Sequence, residues 1–174
     1  MEIQVSNDYV KMNLPNGNVV DVLDPVLCEI RKWIQDDLSK PEGGGFIVGY
    51  QHFETGNVSL EAVSHPYPED MRNRVRFDIN DSMHQRFIER ARQNKSYYMG
   101  VWHTHPQKVP VPSEIDWNDW RETMKTDQTG CQYVFFAIAG TIEWRLWVGD
   151  INNGNIQEIF ECAKDADGIY CRVK

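Results

Sequence analysis

Apolar residues recur along the chain at two spacings, and each change of spacing marks an element boundary. Runs from Tyr9 to Leu14 and from Asn18 to Val22 flank Pro15-Asn16-Gly17. Asn-Gly between two apolar-containing runs predicts a β-hairpin. The spacing then becomes helical. Val26, Leu27, Ile30, Trp33, Ile34 and Leu38 fall on one face behind an Asp24 cap and Pro25, predicting about four turns that end near Leu38, before Pro41. Phe46 to Tyr50, entered through Pro41-Glu42-Gly43-Gly44-Gly45, reads as a buried strand, and Val58 to Val63 reads as another after the Glu54-Thr55-Gly56-Asn57 turn. Asn80 or Asp81 can cap a helix to about Gln93, with Met83, Phe87, Ile88 and Ala91 as its apolar side. A strand from Ser96 to Trp102, a helix from Ser113 to about Lys125, and strands at Tyr133 to Ala139, Thr141 to Val148 and Ile156 to Glu161 complete the pattern. Gly140 and Asn152-Asn153-Gly154 join the last three. Mixed strands and helices without repeats or a linker favour an α+β domain, layered α/β/α around a central sheet. Residues 1–174 read as one domain, with 1–22 as an N-terminal hairpin extension.

Length and charge narrow the partners. The chain has 174 residues and a formal net charge of -8, which disfavours a nucleic-acid surface, since duplex affinity rests on clustered Lys and Arg. A basic partner suits it better. There is no apolar run of membrane-spanning length, and Met1 to Val5 lacks the basic and apolar regions of a signal peptide, so a soluble, cytoplasmic protein is expected. Cys28, Cys131, Cys162 and Cys171 form no C-x-x-C pair and are expected to be reduced and mostly buried. From Ser64 to Arg76 the chain is Pro-rich and then basic, with Arg72, Arg74 and Arg76 alternating. This segment reads either as a solvated edge strand or as a substrate-facing insertion.

The chemistry concentrates in Val101-Trp102-His103-Thr104-His105-Pro106 and Pro112-Ser113-Glu114-Ile115-Asp116. Residues i and i+2 of a strand share a face, so His103 and His105 can offer two imidazoles to one ion while Thr104 points away. Pro106, Pro110 and Pro112 end the strand and stiffen the loop that returns the chain to Asp116. Two nitrogens and a carboxylate suit zinc with its fourth position open, and water there becomes acidic enough to supply a nucleophile near neutral pH. Glu42 could serve as the base that is not a ligand, and the Ser113 hydroxyl as an oxyanion donor. Each element also has a plainer reading: a half-exposed strand face, a turn glutamate, and a Ser113-x-x-Asp116 capping box.

The arrangement of Glu42, His103-Thr104-His105-Pro106 and Ser113-Glu114-Ile115-Asp116 resembles the JAMM motif of the MPN/JAB metallopeptidase family. Pro106 to Pro112 fit the spacing, as does Gly43 to Gly49 after the glutamate. The resemblance covers roughly Asp24 to Trp147 and is nearest to stand-alone prokaryotic JAB proteins. It implies a cytidine-deaminase-like α/β/α fold and one zinc per chain on His103, His105 and Asp116, with Glu42 as base and Ser113 assisting. It also implies cleavage of an isopeptide or peptide bond after a ubiquitin-like C-terminus, in deconjugation or precursor processing, within a bacterial antiphage conjugation operon. The implied partner is a ubiquitin-like protein or its conjugate, its tail entering between Val75 to Phe77 and Gln107 to Val111 with Gly-Gly at the glycine-rich mouth near Glu42. The alternatives are a noncatalytic MPN scaffold, which normally lacks part of this residue set, and a different metal hydrolase, such as a nuclease or a zinc amidase for small molecules. Acidic charge counts against the nuclease.

Overall fold

The computed structural model describes residues 9–164 and 170–172; Met1 to Val5 and the side chain of Cys171 lie outside the described residues. Its elements are β1 (Tyr9–Asn13), β2 (Val19–Leu23), α1 (Asp24–Arg31), β3 (Gly44–Gln51), β4 (Val58–Val63), β5 (Met71–Asn73), β6 (Arg76–Asp78), α2 (Met83–Gln93) and β7 (Tyr97–Thr104). They continue with α3 (Glu114–Thr126), β8 (Tyr133–Ala139), β9 (Trp144–Asp150), β10 (Ile156–Ile159), β11 (Cys162–Lys164) and β12 (Tyr170–Arg172). Eight strands form one sheet in the order β1-β2-β4-β3-β7-β8-β9-β10. It is mixed: β2 runs parallel to β4 and β7 parallel to β8, and the other neighbours are antiparallel.

Alternation sorts the strand side chains onto two faces. Register sets Trp102 beside Ala137 and Ala137 beside Leu146, and these pack with Leu27 and Ile30 of α1. One position earlier, Val101 lies beside Phe136 and Phe136 beside Trp147, packing with Trp120 of α3. The stacked Trp120 and Phe136 rings, with centroids 4.8 Å apart, fix α3 on that second face. His84 of α2 meets Phe46 edge-on, so α2 lies there too. The result is an α/β/α layering in which Thr104 faces α1 while His103 and His105 face the α2 and α3 side.

The N-terminal hairpin forms as expected, with β1 and β2 antiparallel. It is part of the central sheet rather than an appendage: β2 pairs with β4, and Met12 bridges Glu161. The Asn13 amide donates to Phe160 O at 3.0 Å, so the first strand meets the segment leaving the eighth.

Several boundaries differ from expectation. The helix α1 ends at Arg31 instead of Leu38, and its N-cap is Leu23, with Asp24 in the first turn. Beyond Arg31 the chain turns because Gln35 is drawn inward to three hydrogen bonds and Trp33 stacks on His65, leaving Leu38 83% exposed. The strand β9 begins at Trp144 rather than Thr141. Residues 140–143 instead form a turn, closed by Gly140 N to Glu143 O at 2.7 Å, that pairs with the loop after the histidines through Thr141 N to Gln107 O. Finally, Ser82 is the N-cap of α2, although Asp81 Oδ1 still accepts from Met83 N at 2.9 Å. Of the described cysteine side chains, Cys28 is exposed, Cys131 intermediate and Cys162 buried; the expectation of burial fails at Cys28.

The basic, Pro-rich segment is held by a buried polar relay. Ser64 Oγ accepts from Phe46 N and bonds His84 Nδ1 at 2.7 Å, while His84 Nε2 bonds Asp70 Oδ2 at 2.6 Å. Asp70 also accepts from the amides of Tyr67, Asn80 and Asp81. Burial alone would raise the Asp70 carboxyl, but the backbone amides and His84 outweigh it and hold it below its ordinary value. A depressed folded pKa stabilises at pH above the unfolded value of 3.8, and that contribution is lost as pH falls through the folded value. Asp70→Ala is therefore expected to cost about 3 kcal/mol near neutrality by urea denaturation. The gap from the unsubstituted protein should narrow at pH below 3.8, and a gap independent of pH would remove Asp70 from this role.

Candidate metal and catalytic site

His103 is the penultimate residue of β7, paired with Gly44 of β3 and Ile138 of β8. His105 lies one residue past the strand, and its amide still donates to Ala139 O at 2.9 Å, so both imidazoles leave the same face. Their Nε2 atoms are 3.1 Å apart. Asp116 enters from the first turn of α3, with Oδ1 3.0 Å from His103 Nε2 and Oδ2 3.1 Å from His105 Nε2. Ligands at about 2.0–2.1 Å from a tetrahedral zinc lie roughly 3.3 Å from one another, and the contacts between the two nitrogens and the carboxylate oxygens come close to that separation. Glu42 stands farther off, Oε1 being 3.9 Å from His103 Nε2. Of the five residues singled out in the sequence, Glu42, His103, His105 and Asp116 therefore meet at one site, and Ser113 is joined to it through its hydrogen bonds with Asp116.

The capping box expected of Ser113 and Asp116 forms. Ser113 Oγ accepts from Asp116 N at 3.1 Å, and Asp116 Oδ2 accepts from Ser113 N at 2.7 Å. The box that starts α3 thus aims the Asp116 carboxylate at the histidines. Accepting from an amide leaves the Ser113 hydroxyl its own proton to donate.

Residues 24–148 match the model for prokaryotic homologs of the JAB domain. The chain belongs to the prokaryotic JAB-domain family. A relative from Pseudomonas aeruginosa is 31% identical over 108 residues, spanning 60% of this chain and 67% of the relative. One from Escherichia coli is 28% identical over 106 residues, spanning 59% and 67%. Both relatives are named CD-NTase/cGAS isopeptidase. A solved protein from Desulfitobacterium hafniense shares the fold at TM-score 0.56 and 15% identity, over 79% of this chain and 87% of that one.

The electrostatics of this JAB domain favour a cation at the cluster. Burial would raise Asp116, but His103 and His105 bonded to it outweigh that and hold the carboxyl far below its usual range. Burial would lower His105, but Asp116 and then Gln107 outweigh it and raise the imidazole. Burial lifts Glu42 to about 7, the Asp116 charge adding to it and the histidines and Arg76 opposing. A bound dication would draw Glu42 back towards the ionised form.

Supporting contacts that the sequence reading missed orient this JAB site. Gln107 Oε1 is 3.1 Å from His105 Nδ1 and accepts from Val111 N at 2.9 Å. An Nδ1–H held in this way leaves Nε2 as the lone-pair nitrogen facing the site. Gln107 lies two residues past His105, and that spacing was the one available signal. One expectation near Glu42 is corrected. The glycines after it admit the protein's own atoms: a Cβ on Gly44 would lie 2.5 Å from Phe77 Cδ1, and one on Gly45 2.3 Å from Ser64 O. Arg72 donates from Nε to Glu42 O and Arg74 to Leu38 O, so two of the alternating arginines brace backbone. Arg76 pairs with Asp78. A cleft of about 200 Å³ opens beside Glu42 and His103, walled by Phe77 to Ile79 on one side and by Asp119, Trp120 and Thr123 of α3 on the other. Gln107 to Val111, expected as its second wall, is bonded instead to the 140–143 turn and, through Pro110 O, to Arg145.

Proposed function

We propose that this chain is a JAMM-type zinc isopeptidase acting after the C-terminus of a ubiquitin-like protein joined to a target, within a bacterial antiphage conjugation system. The observation that carries the reading is the meeting of His103 Nε2 and His105 Nε2, 3.1 Å apart, with the Asp116 carboxylate, whose Oδ1 and Oδ2 lie 3.0 and 3.1 Å from them respectively, in a JAB-family chain. The relatives' name supports isopeptide hydrolysis over a noncatalytic scaffold. The reading includes one cytoplasmic domain of 174 residues, with layering of the cytidine-deaminase kind. Among the described residues, no helix is long and apolar enough to cross a membrane.

His103, His105 and Asp116 would hold one zinc, which when bound supplies Lewis acidity to the scissile carbonyl and acidifies a water. Glu42 takes that water's proton and returns it to the leaving nitrogen. Ser113 donates its hydroxyl proton to the oxygen that gains charge as the carbonyl is attacked. The cleft between β6 and α3 receives the extended tail, where an added strand at a sheet edge would bind through main-chain hydrogen bonds. A ubiquitin-like fusion ending in Gly-Gly is then cut after the second glycine, and replacing either glycine with a bulky residue lowers kcat/KM by about 100-fold. Equal cleavage of an unstructured peptide lacking the tag would leave a general peptidase or amidase. The relatives' name favours a second reading, in which the protein released is a CD-NTase. A fusion through the C-terminus of a CD-NTase, assayed beside the Gly-Gly fusion, separates the two by which is hydrolysed faster.

A further inference from the structure

We infer that Gln35 is a positioning residue for Glu42, acting through Thr104 and the Gly43 amide. The inference rests on Glu42 being the proton carrier proposed above. Gln35 is 3% exposed, and its amide engages three elements at once. Its Nε2 donates to Arg74 O at 2.9 Å and to Lys40 O at 3.3 Å, and its Oε1 accepts from Thr104 Oγ1 at 2.8 Å. Thr104 is wholly buried, and its Oγ1 in turn accepts from Gly43 N at 2.9 Å. The hydroxyl thus spends its one proton on Gln35 and a lone pair on the peptide next to the base.

Those bonds matter because β3 begins only at Gly44, so Glu42 stands outside the sheet ladder. Its backbone is held by Asn73 O, which accepts from Glu42 N at 2.8 Å, and by Arg72 Nε, which donates to Glu42 O at 2.9 Å. Asn73 and Arg72 lie on the β5–β6 hairpin, and Gln35 grips that hairpin at Arg74 O, the chain before Glu42 at Lys40 O, and β7 through Thr104. Thr104 lies between His103 and His105 in sequence but on the opposite face. One buried amide therefore sets the base against the strand that carries the histidines. A misplacement of about 1 Å costs roughly 100-fold in such chemistry.

The test uses the full chain and the Gly-Gly fusion, comparing Gln35→Met, Thr104→Val and Thr104→Ser, each alone and with Glu42→Gln, with zinc content and thermal midpoint measured alongside. Gln35→Met and Thr104→Val are expected to lower kcat by about tenfold or more, with KM within about twofold and zinc retained. Thr104→Ser keeps the hydroxyl and restores kcat. In the Glu42→Gln background, single-turnover rates are expected to show no further loss, because the group being positioned is gone. Unchanged kcat, the same factor of loss in both backgrounds, or Thr104→Ser as damaging as Thr104→Val would each overturn the positioning role and leave a structural amide. Should Gln35→Met fail to fold, Thr104→Val and Thr104→Ser carry the same comparison. Wild-type turnover by Glu42→Gln alone would instead sink the parent reading.

Discussion

His103→Ala and Asp116→Ala are each expected to lose the zinc, about one per chain by metal analysis of the unsubstituted protein, while remaining folded. Either substitution removes one of three donor groups that meet at contacts of 3.0–3.1 Å and leaves two donors where a catalytic site needs three. Lewis acidity contributes several kcal/mol to such a reaction, so activity should fall by about three orders of magnitude or more. Asp116→Ala has a second consequence, because the same carboxylate accepts from Ser113 N in the capping box of α3. Loss of that half of the box is expected to cost about 1 kcal/mol of stability, which Asp116→Asn, whose side-chain oxygen can still accept from Ser113 N, should partly recover without recovering zinc. Stoichiometric zinc in a His103→Ala, His105→Ala double variant would defeat the assignment.

Glu42→Gln carries the second large effect. The side chain is buried, and at 3.9 Å from His103 Nε2 it is 0.9 Å farther from that nitrogen than Asp116 is, at 3.0 Å. Zinc should therefore stay bound while turnover falls by about two orders of magnitude or more, the scale of a lost general base. Burial lifts its carboxyl to about 7 in the absence of a metal. A base must be ionised to accept a proton, so kcat/KM of the unsubstituted enzyme rises with pH through the Glu42 pKa of the zinc-loaded protein, below that value. Glu42→Gln should abolish this acid limb. Zinc loss in this variant would make Glu42 the third ligand, since its carboxylate also lies within 4.8 Å of both histidine donors.

Most of the site was legible because it is written in local order. His103-x-His105 needs only strand alternation to bring two imidazoles together, and Ser113-x-x-Asp116 needs only one helical turn. The strands of the core were legible for the same reason, since Val134, Phe136 and Ile138 on one face alternate with Phe135 and Ala137 on the other. The errors occurred where a tertiary partner overrode local periodicity. Helical spacing continues through Trp33, Ile34 and Leu38, yet the chain turns because a buried Gln35 and a stacked Trp33 find partners on the β5–β6 hairpin and at His65. His84 fell among the apolar positions of α2 without notice, although it is 0% exposed and linked to Ser64 and Asp70.

The sequence by itself determined the candidate ligand set, the two-faced strands and the order of elements, because alternation and helical pitch act over a few residues. It could not determine which residues hold Glu42 in place, where the hairpin sits or what walls the cleft. Those depend on hydrogen bonds between Gln35 and Thr104, 69 positions apart, and between Arg72 and Glu42, 30 apart. No local spacing encodes such pairs: a buried amide is stabilised only by partners that the whole fold brings to it. Tertiary structure also turned a glycine run that resembled an open mouth into tight contacts with Phe77 and Ser64, because the space left by a missing side chain goes to whichever neighbour packs there first.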